Sequence, residues 1–155
     1  MTRPLDSLDK KILSAVQQDS SRSLDELAKE VQSSKTPIWS RLKKLRKLGV
    51  IKKEVAILDP ESLGLNACFF VLVRTSQHEK NWQDLFLSAL ASRPEIQEAH
   101  RLAGDVDYLL KVRVKDPADF DRFYQSLVSE ISVFNITSLL SMQEILSTTA
   151  LNIED

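Results

Sequence analysis

The 155-residue sequence predicts an α+β protein in which a small helical domain precedes a domain built on an antiparallel sheet. Apolar residues recur at helical spacing up to Gly49, but they occupy nearly consecutive positions from Ala67 onward, which is typical of buried strands. The charge also changes sign along the chain. Residues 1–58 carry 13 Lys and Arg against 7 Asp and Glu, a net charge of +6, whereas residues 59–155 carry 8 against 15, a net charge of −7. This asymmetry indicates that only the first domain faces a polyanion.

Composition excludes several classes of protein. With 43% apolar and 28% charged residues, the chain is an ordinary globular one. Its single cysteine, Cys68, lies in an apolar run, so we expect a core residue and neither an intrachain disulfide nor a multi-cysteine metal site. No apolar run approaches the roughly 18 residues that a membrane span needs. We therefore expect a cytoplasmic protein with no membrane partner.

Two short helices are expected at the start of the chain. The first ends near Asp19, and its apolar face consists of Leu5, Leu8, Ile12, Leu13 and Val16. Ser23 and Glu26 have the spacing of a capping box, which predicts the start of a second helix. Residues 32–33 leave only a tight turn before a third helix. Helices two and three should therefore cross steeply, as in a helix-turn-helix.

The third helix has a marked start, a marked end and two unlike faces. Ser34 is expected to cap it, Pro37 fits its first turn, and Gly49 has the position of a left-handed stop residue. We expect one stripe of side chains to be buried, namely Ile38, Leu42, Leu45 and Leu48. The opposite side carries Thr36, Ser40, Lys43 and Lys47, with Trp39 and Lys44 beside it.

This layout fits a DNA recognition helix, whose first turns meet base edges while basic residues neutralise phosphates. We assign groove contacts to Ser34, Thr36, Trp39 and Ser40, and phosphate contacts to Lys35, Lys43, Lys44 and Lys47. Arg41 lies close to the apolar stripe, so a salt bridge with the domain's own carboxylates competes with a phosphate contact. A dimer with two such helices about 34 Å apart predicts a pseudo-palindromic operator in double-stranded DNA. The alternative is a solvated lysine face on an ordinary amphipathic helix.

The sequence predicts a domain boundary shortly after this helix. Residues 50–58 mix β-branched and charged side chains, which predicts a strand or wing that completes a winged helix-turn-helix. Turn-forming residues follow at 59–64, where the charge balance changes. We therefore assign residues 1–58 to a DNA-binding domain, residues 59–64 to a linker and residues 65–155 to a second domain.

The second domain shows the order β-α-β-β-α-β. Strands are predicted over 67–75, 96–103, 108–114, 133–141 and 145–151, with helices ending before Pro94 and beginning at Asp116-Pro117. This order is that of a ferredoxin-like sandwich, in which both helices cover one face of an antiparallel sheet. An apolar face left free in such a domain predicts a homodimer.

Several blocks of the sequence resemble the Lrp/AsnC family of prokaryotic transcription regulators in order and spacing. They are residues 5–13, 27–28, 41–45 with 49–51, and 104–110. The resemblance covers nearly the whole chain and implies a DNA-binding helix-turn-helix joined to a ferredoxin-like effector domain. Residues 35–39, 55–60 and 77–82 are similar to a branch of the family that responds to cysteine.

The resemblance also implies a small amino-acid effector, bound between neighbouring dimers beside a glycine loop. The effector-binding residues carried over are Leu102, Gly104, Asp105, Val106, Asp107, Tyr108, Thr137 and Ser138. An α-amino acid needs a carboxylate for its ammonium and exposed N–H groups for its carboxylate, and a glycine turn bearing aspartates offers both. Homodimers are expected to assemble further, for example into an octamer. Without the resemblance, Gly104-Asp105 is merely a turn between strands.

Two other functions stay open at this point. The two-domain arrangement looks like that of the sirohaem decarboxylases, which are enzymes, and a stand-alone amino-acid sensor would also fit the second domain. His78 and His100 are isolated, however, and we find no nucleophile–base pair, paired metal ligands or phosphate loop. We therefore predict a transcriptional regulator that is not an enzyme and needs no cofactor.

Overall fold

The computed structural model describes residues 5–76 and 79–153, which form two compact units. The first unit is the described part of Met1–Ile57 together with the described part of Leu146–Asp155, and the second is Leu58–Ile145. The sequence did not indicate that the last residues group with the first unit. Within the described ranges, no helix is long and apolar enough to cross a membrane.

The first unit contains the three predicted helices, α1 (Ser7–Gln18), α2 (Leu24–Glu30) and α3 (Lys35–Lys47). The capping box of α2 is formed, because the Ser23 hydroxyl accepts from the Glu26 N–H and the Glu26 carboxylate accepts from the Ser23 N–H. The core of this unit consists of Ile12, Ala15, Leu27, Val31, Ile38 and Leu42. The helices are therefore held together mainly by burial of one apolar face from each.

Two tight turns set the ends of α2 and α3. After α2, the Ser33 N–H donates to the Ala28 carbonyl at 3.0 Å, and Gln32 adopts a left-handed conformation with φ of 53°. After α3, the Val50 N–H donates to the Leu45 carbonyl at 3.0 Å, and Gly49 has φ of 72°. Both are the hydrogen-bond pattern of a Schellman helix end. The predicted stop at Gly49 is confirmed, and the turn between α2 and α3 is as short as the sequence predicts.

Two expectations for the region after α3 are wrong. Leu48 is 58% exposed, because α3 ends at Lys47 and the last turn of the apolar stripe does not reach the domain core. Residues 50–58 form no strand, although their composition favours one, and Ile57 is 75% exposed. A strand needs a neighbour to accept its backbone hydrogen bonds, and the described chain supplies none at this segment.

The second unit forms a four-stranded sheet covered by two helices. In chain order its elements are β1 (Ala67–Arg74), α4 (Lys80–Ala91), β2 (Ile96–Arg101), β3 (Tyr108–Val114), α5 (Pro117–Glu130) and β4 (Asn135–Leu140). The strand order is β2-β3-β1-β4, and every neighbouring pair is antiparallel. The predicted ferredoxin-like fold is thereby confirmed. The Asp116 side chain accepts from the Asp119 N–H, which confirms the predicted start of α5.

The two faces of this sheet differ in what covers them. On the helix side, Phe69, Val71 and Val73 of β1 belong to a core that includes Phe86 of α4 and Leu110 of β3. Side chains alternate along a strand, so the neighbouring residues lie on the other face. That helix-free face carries Cys68, Phe70, Leu72, Leu109 and Leu139. Cys68 is buried, as predicted, whereas Leu139 is half exposed.

The C-terminal segment contradicts one further prediction. Residues 145–151 form no strand, and Ile145 is 90% exposed. Instead, the Gln17 side chain on α1 makes two hydrogen bonds to the backbone of Leu151, donating to its carbonyl at 2.8 Å and accepting from its N–H at 2.9 Å. A side-chain amide can replace a neighbouring strand in this way because it offers one donor and one acceptor.

We predict that Gln17→Ala releases the C-terminal segment from α1. The variant loses both hydrogen bonds to Leu151, and losing even one costs about 1 kcal/mol, so the Leu151 amide should exchange its hydrogen at least about fivefold faster. Hydrogen-exchange mass spectrometry of the C-terminal peptide measures this rate, and Gln18→Ala on the same helix is the matched control. Equal exchange rates in Gln17→Ala and the unmodified chain would contradict the prediction.

Candidate functional site

The outer face of α3 is open to solvent. Trp39 is 54% exposed, and the Lys43 ammonium lies 5.1 Å from the centroid of its ring. A cation at this distance is attracted by the aromatic face, so the two side chains form one local surface. The other exposed members of the predicted DNA-binding set are Ser34, Lys35, Thr36, Ser40 and Lys47. Seven of the eight predicted side chains are therefore exposed together.

Three members of this set differ in detail from the expectation. Ser34 has the capping position of α3, but its side chain makes no cap hydrogen bond. The Lys35 ammonium lies 2.6 Å from a carboxylate oxygen of Asp25 on α2, so its charge is partly compensated within the chain. Lys44 is only partly exposed, unlike Lys43 and Lys47.

Arg41 contacts its own chain, as the salt-bridge alternative predicted. Its guanidinium donates to Asp9 Oδ1 at 2.9 Å and also to the Asp6 carboxylate. Asp9 is 4% exposed, and Asp6 is the N-terminal cap of α1. The hydrogen bond from Arg41 and the Asp9 N–H together lower the pKa of Asp6 from 3.8 to about 2. Arg41 thus joins the start of α1 to the middle of α3.

The lowered pKa of Asp6 predicts an acid-sensitive first unit. A carboxyl group with a depressed folded-state pKa stabilises the fold above its unfolded-state pKa, and that contribution is lost as the pH falls from about 4 toward 2. Urea unfolding followed by far-UV circular dichroism across this range should therefore show falling stability. Asp6→Asn keeps a capping side chain but cannot titrate, so its stability should fall less steeply. Parallel curves for the two proteins would rule out this role of Asp6.

The glycine loop between β2 and β3 is held by the carboxylate and backbone of Asp107. Asp107 Oδ2 accepts from the Thr75 N–H at 2.8 Å, and the Asp107 N–H donates to the Val73 carbonyl at 3.0 Å. The Leu102 N–H donates to the Asp107 carbonyl at 2.8 Å, which closes the loop. Gly104 has φ of 151°, a conformation that side-chain-bearing residues rarely adopt, and open space lies where a Cβ would stand.

A cavity of about 350 Å³ lies beside this loop. Its lining includes three of the predicted effector-binding residues, Gly104, Asp105 and Asp107. It also includes residues that the sequence did not single out, namely Arg74, Thr75, Ser76 and Phe134. Arg74 ends β1 and Asn135 of β4 lies opposite it in the sheet, so β1, β4 and the glycine loop meet at one end of the sheet. Only this strand order brings them together, and no local sequence signal marks Arg74 or Phe134.

The other predicted effector-binding residues do not line this cavity. Tyr108 is 6% exposed, and its ring packs against Phe86 in the core, with centroids 4.7 Å apart. Thr137 and Ser138 are neighbours on β4, so their side chains lie on opposite faces of the sheet. Leu102 and Val106 flank the loop without lining the cavity. Of the residues behind the cysteine-branch resemblance, Gln77 and His78 lie outside the described residues.

Comparison with known families matches both units. Residues 5–46 match the AsnC-type helix-turn-helix domain, and residues 68–151 match the Lrp/AsnC ligand binding domain. Over 151 residues the chain is 39% identical to the glutamate uptake regulatory protein of Zymomonas mobilis, covering 97% of this chain and 92% of that protein. It is 40% identical over 151 residues to the DNA-binding transcriptional activator DecR of Escherichia coli, covering 97% and 99% respectively.

Solved structures agree with these matches. An AsnC family transcriptional regulator from Agrobacterium tumefaciens is 40% identical, with a TM-score of 0.91 and coverage of 95% of this chain and 96% of that one. A transcriptional regulator from Neisseria meningitidis, solved as a complex with L-methionine, is 32% identical, with a TM-score of 0.91 and coverage of 96% of both chains. These chains share the fold and most of the length of the protein described above.

Proposed function

The chain belongs to the Lrp/AsnC family of transcriptional regulators, as its sequence predicted, and we propose that it binds a pseudo-palindromic DNA operator under the control of a small amino acid. In this proposal α3 contacts the major groove, and the cavity beside the glycine loop holds the effector. The relatives are transcriptional regulators, so the prediction that the protein is not an enzyme is confirmed and the sirohaem-decarboxylase alternative has no support.

The observation that carries the DNA-binding proposal is the exposure of one face of α3. Ile38, Leu42 and Leu45 are buried, whereas Trp39 and Lys43 on the other side face solvent. Short hydroxyl side chains at the start of a helix suit base edges, and lysines beyond them suit phosphates. A dimer would present this face twice, at half-sites about 34 Å or a multiple of that apart.

Charge reversal on this face tests the proposal. We expect Lys43→Glu combined with Lys47→Glu to weaken binding to DNA from upstream of the protein's own gene at least about tenfold. The dependence of affinity on salt should also become shallower, by about one unit of slope for each phosphate that a lysine no longer neutralises. Fluorescence anisotropy with a labelled duplex at several salt concentrations measures both quantities.

The control variant carries the same change of charge on the second unit, as Lys80→Glu combined with Lys115→Glu. Both lysines are exposed and lie away from α3 in the sequence. Sedimentation of all three proteins checks that their assembly is unchanged. If both double variants bind DNA equally well, α3 is not the DNA-binding face, and the stand-alone sensor becomes the better explanation.

The effector proposal rests on the cavity and its loop. Gly104 leaves open space, Asp105 and Asp107 supply carboxylates, and the cavity is of a size for one small ligand. The solved complex of the Neisseria meningitidis relative holds L-methionine, which supports an amino acid as the class of ligand. Resemblance to the cysteine-responsive branch makes L-cysteine the first effector to test, in a thermal-shift screen of all twenty amino acids.

We further propose a homodimer that assembles into a higher oligomer such as an octamer, with the effector bound between neighbouring dimers. The helix-free face of the sheet supports the dimer, because no helix covers it and its apolar side chains are not fully buried: Phe70, Leu72 and Leu109 are partly buried, and Leu139 is half exposed. An effector that binds only one packing of dimers would shift the assembly toward that packing.

A further inference from the structure

The cavity beside the glycine loop carries a cation and an anion that the fold does not use. We propose that Arg74 binds the carboxylate of the effector and that Asp105 binds its ammonium, so that the cavity selects zwitterionic α-amino acids. This inference rests on the proposed function, because it states how the same cavity recognises its ligand. The sequence already predicted Asp105 as an effector-binding residue, but it did not single out Arg74.

Arg74 has the position and the freedom that carboxylate binding requires. It is the last residue of β1, and its carbonyl accepts from the Phe134 N–H at 3.0 Å, which fixes its backbone against β4. Its side chain is exposed, lines the cavity and forms no ion pair within the described ranges. A guanidinium offers two parallel N–H donors to a carboxylate, so one arginine can both bind and orient that group.

The two aspartates of the loop have different surroundings. Asp107 is half-buried, and one of its carboxylate oxygens already accepts from the Thr75 N–H. Asp105 is exposed, lines the cavity and makes no hydrogen bond with any other described residue. Asp105 is therefore the carboxylate available to an ammonium group, whereas Asp107 positions the loop.

The dimensions and remaining lining of the cavity favour a single amino acid. At about 350 Å³ it lies near the lower end of ligand pockets, which reach about 1,000 Å³. Phe134 is 70% exposed at the cavity and offers an aromatic surface to an apolar side chain. With one cation and one free anion at the same cavity, a zwitterion can pair with both groups, whereas a ligand that carries only one charge can pair with one of them.

Ligand analogues test the two assignments separately. The full-length protein is first screened against the twenty amino acids, and the tightest binder is then compared by isothermal titration calorimetry with its carboxamide and its N-acetyl derivative. We expect each derivative to bind about tenfold or more weakly than the amino acid. Arg74→Gln should bind the amino acid and its carboxamide equally, and Asp105→Asn should bind the amino acid and its N-acetyl derivative equally.

The control is Lys115→Gln combined with Asp121→Asn, which changes two exposed charges elsewhere on the second unit and should keep the preference for the zwitterion. If the unmodified protein binds no amino acid, both the effector proposal and this inference fail. If it binds one but Arg74→Gln and Asp105→Asn keep full discrimination against the derivatives, only this inference is overturned. Neither outcome bears on the DNA-binding proposal, which is tested separately by the charge-reversal variants of α3.

Discussion

Replacing Arg41 with methionine should destabilise the first unit by about 3 kcal/mol, because it leaves a buried carboxylate without its cationic partner. Asp9 is 4% exposed, and its Oδ1 atom accepts from the Arg41 guanidinium at 2.9 Å. This loss of stability is at the low end of the range for buried ion pairs that lose one partner, since the Arg41 side chain is itself 30% exposed. Urea unfolding followed by circular dichroism measures the loss.

A double-mutant cycle separates the ion pair from other effects of the substitution. Asp9→Asn removes the buried charge, so Arg41→Met should cost at least about 1 kcal/mol less in that background than in the unmodified chain. The competing role for Arg41 is a phosphate contact. That role predicts that Arg41→Met weakens the dependence of DNA affinity on salt with little change in stability. Additive effects of Arg41→Met and Asp9→Asn on stability would favour it.

Replacing Asp107 with alanine should abolish the amino-acid response of the second unit and destabilise it by about 2 kcal/mol. The carboxylate accepts from the Thr75 N–H at 2.8 Å, and Thr75 is buried, so the variant removes an acceptor from a place that water reaches poorly. The loop should then no longer hold Asp105 beside the cavity. A thermal-shift titration reports both the lower melting temperature and the absence of ligand-induced stabilisation.

Asp107→Asn is the matched control, because its side-chain oxygen can still accept from the Thr75 N–H while its charge is lost. If Asp107 positions the loop, this variant should keep most of the stability and the amino-acid response. If Asp107 instead contacts the ammonium of the ligand, the variant should stay folded and lose the response. Because Asp107→Asn should stay folded in both cases, its binding of the amino acid distinguishes the two roles.

The local elements of this protein could be predicted because their signals are local. The capping box at Ser23, the proline after Asp116 and the stop at Gly49 act within a few residues of the chain, and all three occur where the sequence places them. The periodicity of α3 likewise predicts which of its faces is buried. Residues 50–58 and 145–151 have the composition of strands, yet neither forms one, because composition does not supply a neighbouring strand.

By itself the sequence determined the helix-turn-helix, the order of strands and helices in the second unit, and the polar face of α3, since periodicity and capping depend on residues close together in the chain. Only the tertiary structure decided that Arg41 pairs with Asp6 and Asp9, and that Arg74 and Phe134 meet the glycine loop. These contacts join residues about 30 or more positions apart. The packing of helices and the pairing of strands bring them together, and no short stretch of sequence encodes either.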